Sequence, residues 1–321
     1  MTARPLSLDG VATYPLASRK SKVARSAFAR PHGRGGSLAS FVESLPRILA
    51  GETLRALRDE ILRARARRRP VVWGLGAHVI KVGLSPVLVD LMERGLVTGI
   101  ALNGAGVVHD FEVAVAGRTS EDVAASLGTG AFGMARETGE EVNRAIVEGD
   151  KAGLGLGAAV GRHLQERRPR PPHLDASLLA AAWRLGLPAT VHVAIGTDIV
   201  HLHPACDPGA VGRATHLDFR LFAALVAELA GGVYLNVGSA VVLPEVFLKA
   251  VTLARNLGHR LSDFATASLD FLQPYRPGVN VVERPVKGSG RGYRLTGHHE
   301  ILVPLLAAAL VEKDAARGRR R

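Results

Sequence analysis

Short apolar runs alternate with longer segments of helical periodicity from residue 71 to the C-terminal region. The strand-like runs are 71–73, 97–102, 189–195, 233–237 and 263–267. The helical segments are 87–94, 107–116, 177–186, 217–230, 243–257 and 298–310. Strands that are apolar throughout and alternate with helices are typical of a parallel sheet covered on both faces. We therefore predict an α/β fold, a Rossmann-like open parallel sheet of about six strands with helices on both faces.

Two segments lie outside this alternation. Residues 37–69 have helical spacing with a break near Pro46 and Gly51, and they end in five arginines before Pro70. Residues 117–170 are rich in glycine and are predicted to be a helical insertion, partly a loop near the pocket. Because cations favour a helix C-terminus, we interpret the arginine cluster as a solvated helix end rather than a binding site.

The formal charge of +12 is concentrated at the two ends of the chain. Residues 1–35 hold seven Lys or Arg residues and one acid, and we predict a disordered basic arm there. Residues 313–321 are predicted to be a basic C-terminal tail, which leaves 36–312 nearly balanced as a single domain. We therefore expect contacts with nucleic acid only from the ends, and only non-specific ones.

The composition is that of a globular protein, with 47% hydrophobic and 22% charged residues. No apolar run approaches the length of a transmembrane helix, and the N-terminus has no signal-peptide core. Cys206 is the only cysteine, which excludes an intramolecular disulfide and agrees with a reducing compartment. We predict a cytoplasmic protein in which Cys206 is a small apolar residue without a chemical role.

Small and polar residues follow nearly every predicted strand. They occur at 74–76, 103–104, 196–198 and 238–240. Ligands of open parallel sheets bind at the carboxyl ends of the strands, where glycine lets the backbone approach a phosphate. The spacing after Gly76 does not fit the GxGxxG motif, because the next glycine is Gly83. A nucleotide pocket and simple tight turns both explain this pattern.

Histidines also follow the predicted strands, so the topology places them at one end of the sheet. They are His78, His109, His201, His203, His298 and His299, with Glu300 beside the last pair. Imidazole and carboxylate groups suit proton transfer. The pair His201-x-His203 with His298 or Glu300 could instead hold zinc, but the spacing is a weak signal and we predict no metal site.

Five segments of the chain resemble the deoxyhypusine synthase family, in the same order and at similar spacing over roughly residues 70–312. They are GLGAHVIKVGLSPVLVDLMERG (74–95), LNGAGVVHDFE (102–112), NVGSAVVLPEVFLKAVTLARNLG (236–258), ATASLDF (265–271) and GHHEILVPLLAAALVE (297–312). The resemblance implies a Rossmann-like sheet, bound NAD and a homotetramer. It also implies transfer of the aminobutyl group of spermidine to a lysine of a translation factor, through an imine on a catalytic lysine.

The resemblance assigns the cofactor-binding positions residue by residue. The aspartate of the ribose region corresponds to Asp198, and Asp270 is also available to ribose hydroxyls. His298-His299 stands at the adenosine end, where the family has Asp-Ala. The full predicted set is Gly76, Ala77, His78, Asn103, Gly104, Ala105, Gly106, Asp198, Gly238, Ser239, Ala240, Thr266, Ala267 and Asp270.

The chain departs from the family at the catalytic lysine. Where the family has Trp-Gly-Lys, this sequence has Glu283-Arg284-Pro285, and Lys287 comes two residues late. Pro244 replaces the family's substrate histidine, with Glu245 next to it. Imine chemistry needs an amine of depressed pKa, and arginine stays protonated.

We therefore predict an NAD-binding enzyme that acts on an unidentified small substrate, such as an amine, and does not make deoxyhypusine. Two alternatives remain open, a non-catalytic nucleotide-binding or sensing protein and a metal-dependent hydrolase that uses the histidines. The predicted catalytic residues are His203, His299, Glu245, His298 and Glu300.

Overall fold

Six parallel strands form one sheet in the order β3-β2-β1-β4-β5-β6. The structure, a computed structural model, describes residues 3–318. The strands are β1 (Val71–Leu75), β2 (Gly99–Asn103), β3 (Ala189–His192), β4 (Val233–Val237), β5 (Ala265–Asp270) and β6 (Arg291–Thr296). The predicted α/β class, parallel sheet and number of strands are confirmed.

Twelve α-helices are present among the described residues, together with a π-helix at Pro277–Glu283 and four 3-10 turns. The helices are α1 (Leu38–Ser44), α2 (Leu49–Ala66), α3 (Ala77–Lys81), α4 (Ser85–Glu93), α5 (Gly104–Ala116), α6 (Val123–Leu127), α7 (Arg136–Lys151), α8 (Leu156–Glu166), α9 (Leu178–Leu185), α10 (Pro208–Ala227), α11 (Val242–Asn256) and α12 (His299–Gly318). None of these helices is long and apolar enough to cross a membrane.

Alternate residues of each central strand pack into two separate hydrophobic layers. Trp73 of β1 and Leu235 of β4 belong to the layer that contains α2, α4, α5, α9 and α12. Val72 and Tyr234 face the other layer, which contains α11, the C-terminal half of α10 and the π-helix. Gly74 makes room for this second layer, because a Cβ there would lie 2.3 Å from the Tyr234 hydroxyl. Helices therefore cover both faces of the sheet, as predicted.

The last strand and several element boundaries differ from the sequence predictions. Arg291–Thr296 form β6 at the edge of the sheet, and no strand was predicted there. Helix α10 begins at Pro208, capped by the Asp207 side chain, rather than at 217. The fifth strand is Ala265–Asp270 rather than 263–267. A polar edge strand lacks the continuous apolar run by which the buried strands were recognised.

Helix α2 is enclosed by the last two elements of the chain. Arg291 and Tyr293 of β6 both donate to the Glu60 carboxylate of α2, at 2.5 and 3.2 Å. Lys313 of α12 donates to Asp59 at 2.8 Å, and Arg65 forms an ion pair with Asp314. The N-terminal helical segment and the C-terminal helix are thus parts of one packed layer.

The two predicted basic ends are described only in part. Residues 3–35 are exposed except for the half-buried Ala27, and contain 3-10 turns at Leu16–Ser18 and Arg25–Ala27. Residues 313–318 are the last turns of α12. Residues 319–321 lie outside the described part of the chain. The disorder of the N-terminal arm stays a prediction.

Candidate functional site

The loops after β1 and β4 touch through two glycines at the carboxyl end of the sheet. The Gly76 amide donates to the Val237 carbonyl at 2.8 Å, and a Cβ on Gly76 would lie 2.0 Å from the Gly238 carbonyl oxygen. Gly238 has a φ of +70°, a conformation that side chains disfavour. Only glycine therefore fits at either position. The two loops meet through backbone atoms alone, and we call this contact the glycine junction.

The His299 ring packs directly against Gly238 of the glycine junction. The ring is 2% exposed, and a Cβ on Gly238 would approach its Cε1 to 2.9 Å. Its Nε2 is 3.2 Å from the Leu269 carbonyl, which can only accept, so Nε2 carries the proton and Nδ1 is left as an acceptor. The Asp270 carboxylate lies 3.7 Å from the same Nε2.

His78 and His298 flank His299 on the surface. The exposed His78 ring lies 5.7 Å from the His299 ring, centroid to centroid. The side chain of His298 is 67% exposed and stacks on Phe271 at 6.0 Å. Glu300 is also exposed, 3.8 Å from His298 Nδ1. The predicted residues His78, His298, His299 and Glu300 are therefore close together, with His299 as the buried member.

The N-terminus of α5 is occupied by two side chains. Asn103 accepts from the Gly106 amide at 3.1 Å. The Asp198 carboxylate accepts from the Ala105 amide and packs onto Gly104, where a Cβ would lie 1.9 Å from Oδ2. The predicted residues 103–106 and Asp198 thus form one cluster, in which a carboxylate already satisfies the positive end of the helix.

Asp198 is buried with one oxygen unused. Burial raises the pKa of this carboxyl, and the opposing effects of His201, the Ala105 amide and Thr197 do not cancel the shift. Its Oδ2 is buried and has no hydrogen-bond partner among the described residues. An unpaired buried acceptor is costly, so this oxygen is suited to a donor from a ligand, such as a hydroxyl.

His201 and His203 have neighbours of their own, in the loop after β3 and in α7. The Nδ1 of His201 accepts from the Gly196 amide at 3.3 Å. His203 packs against α7, where a Cβ on Gly139 would lie 2.2 Å from its ring. The predicted catalytic residue His203 therefore contacts the insertion, to which the turn Ile199–Leu202 directs it. The described residues contain no group of three or more His, Cys, Asp or Glu side chains that could hold a metal ion.

Glu245 belongs to a separate polar network beside the π-helix. It pairs with Lys249 and with Arg276, whose Nε lies 3.3 Å away, and it accepts from Asn280 at 2.8 Å. Lys249, then Arg276 and Asn280, lower the pKa of the Glu245 carboxyl. Glu245 contacts none of the histidines among the described residues, so its predicted place in the histidine pocket is not supported.

The remaining predicted cofactor residues divide into two groups. Ser239 follows Gly238 and caps α11 by accepting from the Leu243 amide at 3.2 Å, while Ala77 and Ala240 have accessible surface. Thr266 and Ala267 lie inside β5 with no accessible surface, and the Thr266 hydroxyl donates to the Val281 carbonyl at 2.7 Å. The expectation that this pair contacts a cofactor is therefore corrected.

Lys287 lies at the opposite end of the sheet. It precedes β6, and its loop is tied to the start of β5 by the Asp263 amide, which donates to the Ser289 carbonyl at 2.6 Å. The six residues of β6 separate this loop from the histidines. Lys287 therefore cannot replace the family's catalytic lysine in this arrangement.

Sequence reasoning missed three features of the site. The first is the contact between Gly76 and Gly238, which joins residues 162 positions apart. The second is the capping of α5 by Asp198, which comes from a distant loop. The third is the π-helix with its link from Asn280 to Glu245. Only the glycines and aspartates at the strand ends were visible as signals in the sequence.

The strand order and the contact between Gly76 and Gly238 identify the fold. The chain has a Rossmann-like fold. Solved structures of other proteins are similar to it, and among them are the following three. AgrE, in a ternary complex with ornithine and NAD+, is 14% identical with a TM-score of 0.53 over 83% of this chain and 33% of AgrE. A Methanococcus maripaludis S2 protein proposed to be of the LOR/SDH type is 13% identical, with a TM-score of 0.52 over 83% of this chain and 71% of that one.

The third structure is an Entamoeba histolytica protein proposed to be a deoxyhypusine synthase. It is 10% identical, with a TM-score of 0.51 over 88% of this chain and 96% of that one. The chain spans about a third of the length of AgrE, so the likeness concerns one part of that protein. No protein-family model and no curated protein matches the sequence. At these identities the likenesses establish the fold.

Proposed function

We propose that this protein is an NAD-binding enzyme that acts on an unidentified small substrate, such as an amine. The observation that carries the proposal is the side-chain-free junction between Gly76 and Gly238, with His299 buried above it. β1 and β4 are neighbours in the sheet, and the helices that follow them, α3 and α11, belong to opposite layers. A crevice at such a switch point is where open α/β sheets bind dinucleotides.

Two buried carboxylates suit the ribose groups of a dinucleotide. The Oδ2 of Asp198 lacks a donor among the described residues, and Asp270 lies at the end of β5 with 5% exposure. A ribose hydroxyl would supply the missing donor. AgrE, which has the same fold, is known in complex with NAD+. The residues present therefore fit the cofactor.

His299 is the residue best placed to move a proton. Its Nδ1 is free to accept because Nε2 donates to the Leu269 carbonyl, and the Asp270 carboxylate lies 3.7 Å from Nε2. Bound NAD would accept or return a hydride at a substrate carbon. Transfer of a hydride from the substrate carbon to NAD, and of a proton from the substrate N–H or O–H group to His299 Nδ1, would together oxidise an amine or an alcohol.

The same site argues against deoxyhypusine synthesis. Arg284 stands near the family's lysine position and is bound to Asn280 and Tyr275, at 2.9 and 3.3 Å. Lys287 lies at the other end of the sheet. Without a neutral amine the aminobutyl group has no covalent carrier. A non-catalytic nucleotide-binding protein is the second candidate, because the same substitution removes the known chemistry and leaves the crevice.

Calorimetric titration with NAD, NADP, FAD and adenine nucleotides tests the proposal. We expect NAD to bind, and Gly238→Ala to weaken its binding roughly tenfold or more, a change of about 1.4 kcal/mol. Gly258→Ala is the matched control, because Gly258 has a similar φ of +86° but open space around its Cα. If no nucleotide bound, or if both variants bound NAD as the parent does, the cofactor assignment would be wrong.

The NAD-loaded protein then separates the two candidates. An enzyme should reduce its bound NAD, followed by absorbance, with at least one member of a panel of amines and alcohols, and His299→Gln should slow that reduction at least ~100-fold. In the same preparation, spermidine should not transfer label to an acceptor translation factor. NAD binding without any reduction across the panel would favour the non-catalytic protein.

A further inference from the structure

Four loops lie side by side at the amino end of the sheet. β1, β4, β5 and β6 are consecutive neighbours, so the loops that precede them are adjacent in the same order. We name residues 67–70, 228–232, 257–264 and 285–290 the amino-end strip. The strip lies at the opposite end of the sheet from His299. An inference about it does not depend on the proposed function.

Contacts between these loops hold the strip together. Arg69 Nε donates to the Ala230 carbonyl at 2.5 Å. Arg67 lies 3.9 Å from Asp263, and the Asp263 amide donates to the Ser289 carbonyl at 2.6 Å. The strip is therefore a continuous surface in which the basic loop 67–70 has fixed neighbours.

The strip carries a clear excess of positive charge. Its bases are Arg67, Arg68, Arg69, Arg260 and Lys287, against the acids Glu228 and Asp263. Arg68, Arg260 and Lys287 are exposed and form no ion pair within the described part of the chain. The loops at the carboxyl end (193–207, 238–241 and 271–276) hold one arginine and two aspartates. The charge difference between the two ends comes from folded loops rather than from the chain termini.

Arg68 has a strained backbone conformation. It follows the last turn of α2 with a φ of +53°, where helices usually carry glycine. Asp263, in the neighbouring loop, also has a φ of +53°. Such positions are destabilising for residues with side chains, so the contacts between the loops hold both residues in these conformations.

We propose that the amino-end strip binds the phosphate backbone of double-stranded nucleic acid, independently of sequence. Arginine forks match phosphate oxygens, and the three spacings of about 4.8 Å between the four strands give a width of roughly 14 Å, comparable to the ~12 Å major groove. Of the two aromatic rings in the strip, Phe264 is buried and only His259 is exposed, so stacking on successive unpaired bases is not available. Leu257 is its one exposed large apolar side chain, which is too little for a membrane surface.

Fluorescence anisotropy with a labelled duplex of about 20 base pairs, over a series of salt concentrations, tests the proposal. The variant is Arg67→Ser/Arg68→Gly in the full chain. We expect its affinity at low salt to fall roughly tenfold and the slope of log K against log salt to become shallower by about 2. Because glycine relieves the φ of residue 68, the thermal unfolding midpoint should not fall on that account.

The control variant is Arg136→Ser/Arg144→Ser, which removes two exposed arginines from α7 and should bind the duplex like the parent. Equal binding by the strip variant and the parent would overturn the proposal, since the chain ends would then carry the interaction. It would also be overturned if vesicles rich in anionic lipid bound more tightly than the duplex and depended on the same two arginines, or if the duplex did not bind at low salt.

Discussion

Buried carboxylates are the residues whose ionisation is most altered by folding. Asp218 of α10 accepts from the Gly157 and Val191 amides, at 2.9 and 2.7 Å, and joins the start of α8 to β3. Burial raises the pKa of Asp218 to about 7, despite these amides, and that of Asp110 to about 6. The folded protein therefore holds protons that the unfolded chain has released.

This proton uptake predicts a pH dependence of stability. Between about pH 4 and 7 the folded state binds a proton at Asp218 more tightly than the unfolded state, so its contribution to stability falls as the pH rises. We expect Asp218→Asn to abolish that fall, and the difference in unfolding free energy between parent and variant to change by about 2 to 4 kcal/mol across the window.

Urea denaturation of both proteins at a series of pH values measures this difference. Burial lowers the pKa of His192 to about 4, which makes the parent gain stability with rising pH. That effect is common to both proteins and cancels in the comparison. A difference that stayed constant with pH would show that the Asp218 pKa is not raised.

Sequence reasoning identified the residues at the carboxyl ends of the strands, but not the side chains that they contact. Gly76, Gly238, Asp198 and His299 were recognised by their positions after strands, and topology alone brings strand ends together. His203 was misplaced, because its position after a strand does not reveal to which side a short turn directs a ring. Whether the predicted residues bind NAD stays a prediction.

Elements with a buried apolar run were predicted from the sequence, while those defined by neighbours were not. β1 to β5 lie within one to three residues of their expected positions. β6 was missed because Arg291 and Tyr293 owe their place to Glu60 on α2. The start of α10 was placed too late, although Asp207-Pro208 is a cap followed by proline.

One buried cap should control the docking of α9 on α5. Asp110 accepts from the Ser177 hydroxyl and from the Leu178 and Leu179 amides, at 2.5, 2.7 and 3.1 Å. Asp110→Ala would leave these donors buried without an acceptor, so we expect a loss of about 3 to 5 kcal/mol in unfolding free energy. Asp122 caps α6 on the surface, and Asp122→Ala should cost only about 1 kcal/mol.

Chemical denaturation at neutral pH compares the two capping variants directly. Both substitutions remove one carboxylate from a helix N-terminus, so they share the loss of the capping charge. Only Asp110 is fully buried. Equal losses in the two variants would mean that burial adds nothing at this cap.

The two ends of the sheet differ in charge. The carboxyl end, which has the glycine junction and His299, is weakly charged, and the amino end is basic. Exposed apolar side chains gather at the first of these, at Ile195, Leu202, Val241, Phe271, Leu272 and Ile301. We propose that they lie in contacts between copies of the chain, in the homotetramer that the resemblance implies. Exposed patches of this kind commonly mark protein contacts.

Light scattering coupled to size exclusion checks the assembly. We expect a mass of four chains, each of 33.9 kDa, and a smaller species for Leu272→Asp. Leu257→Asp is the control, since Leu257 is similarly exposed but lies at the basic end, and it should leave the mass unchanged. A single-chain mass for the parent would refute the tetramer.

The enclosure of α2 by β6 and α12 has a consequence for synthesis of the chain. On a ribosome α2 emerges among the first elements, and the partners of Asp59 and Glu60 emerge last. Leu57 and Ile61 of α2 belong to the same apolar layer as Leu306 and Leu310. Until β6 and α12 have been synthesised, this layer is incomplete and open to unwanted association. A nascent chain stalled before residue 291 should therefore need a chaperone more than the finished protein does.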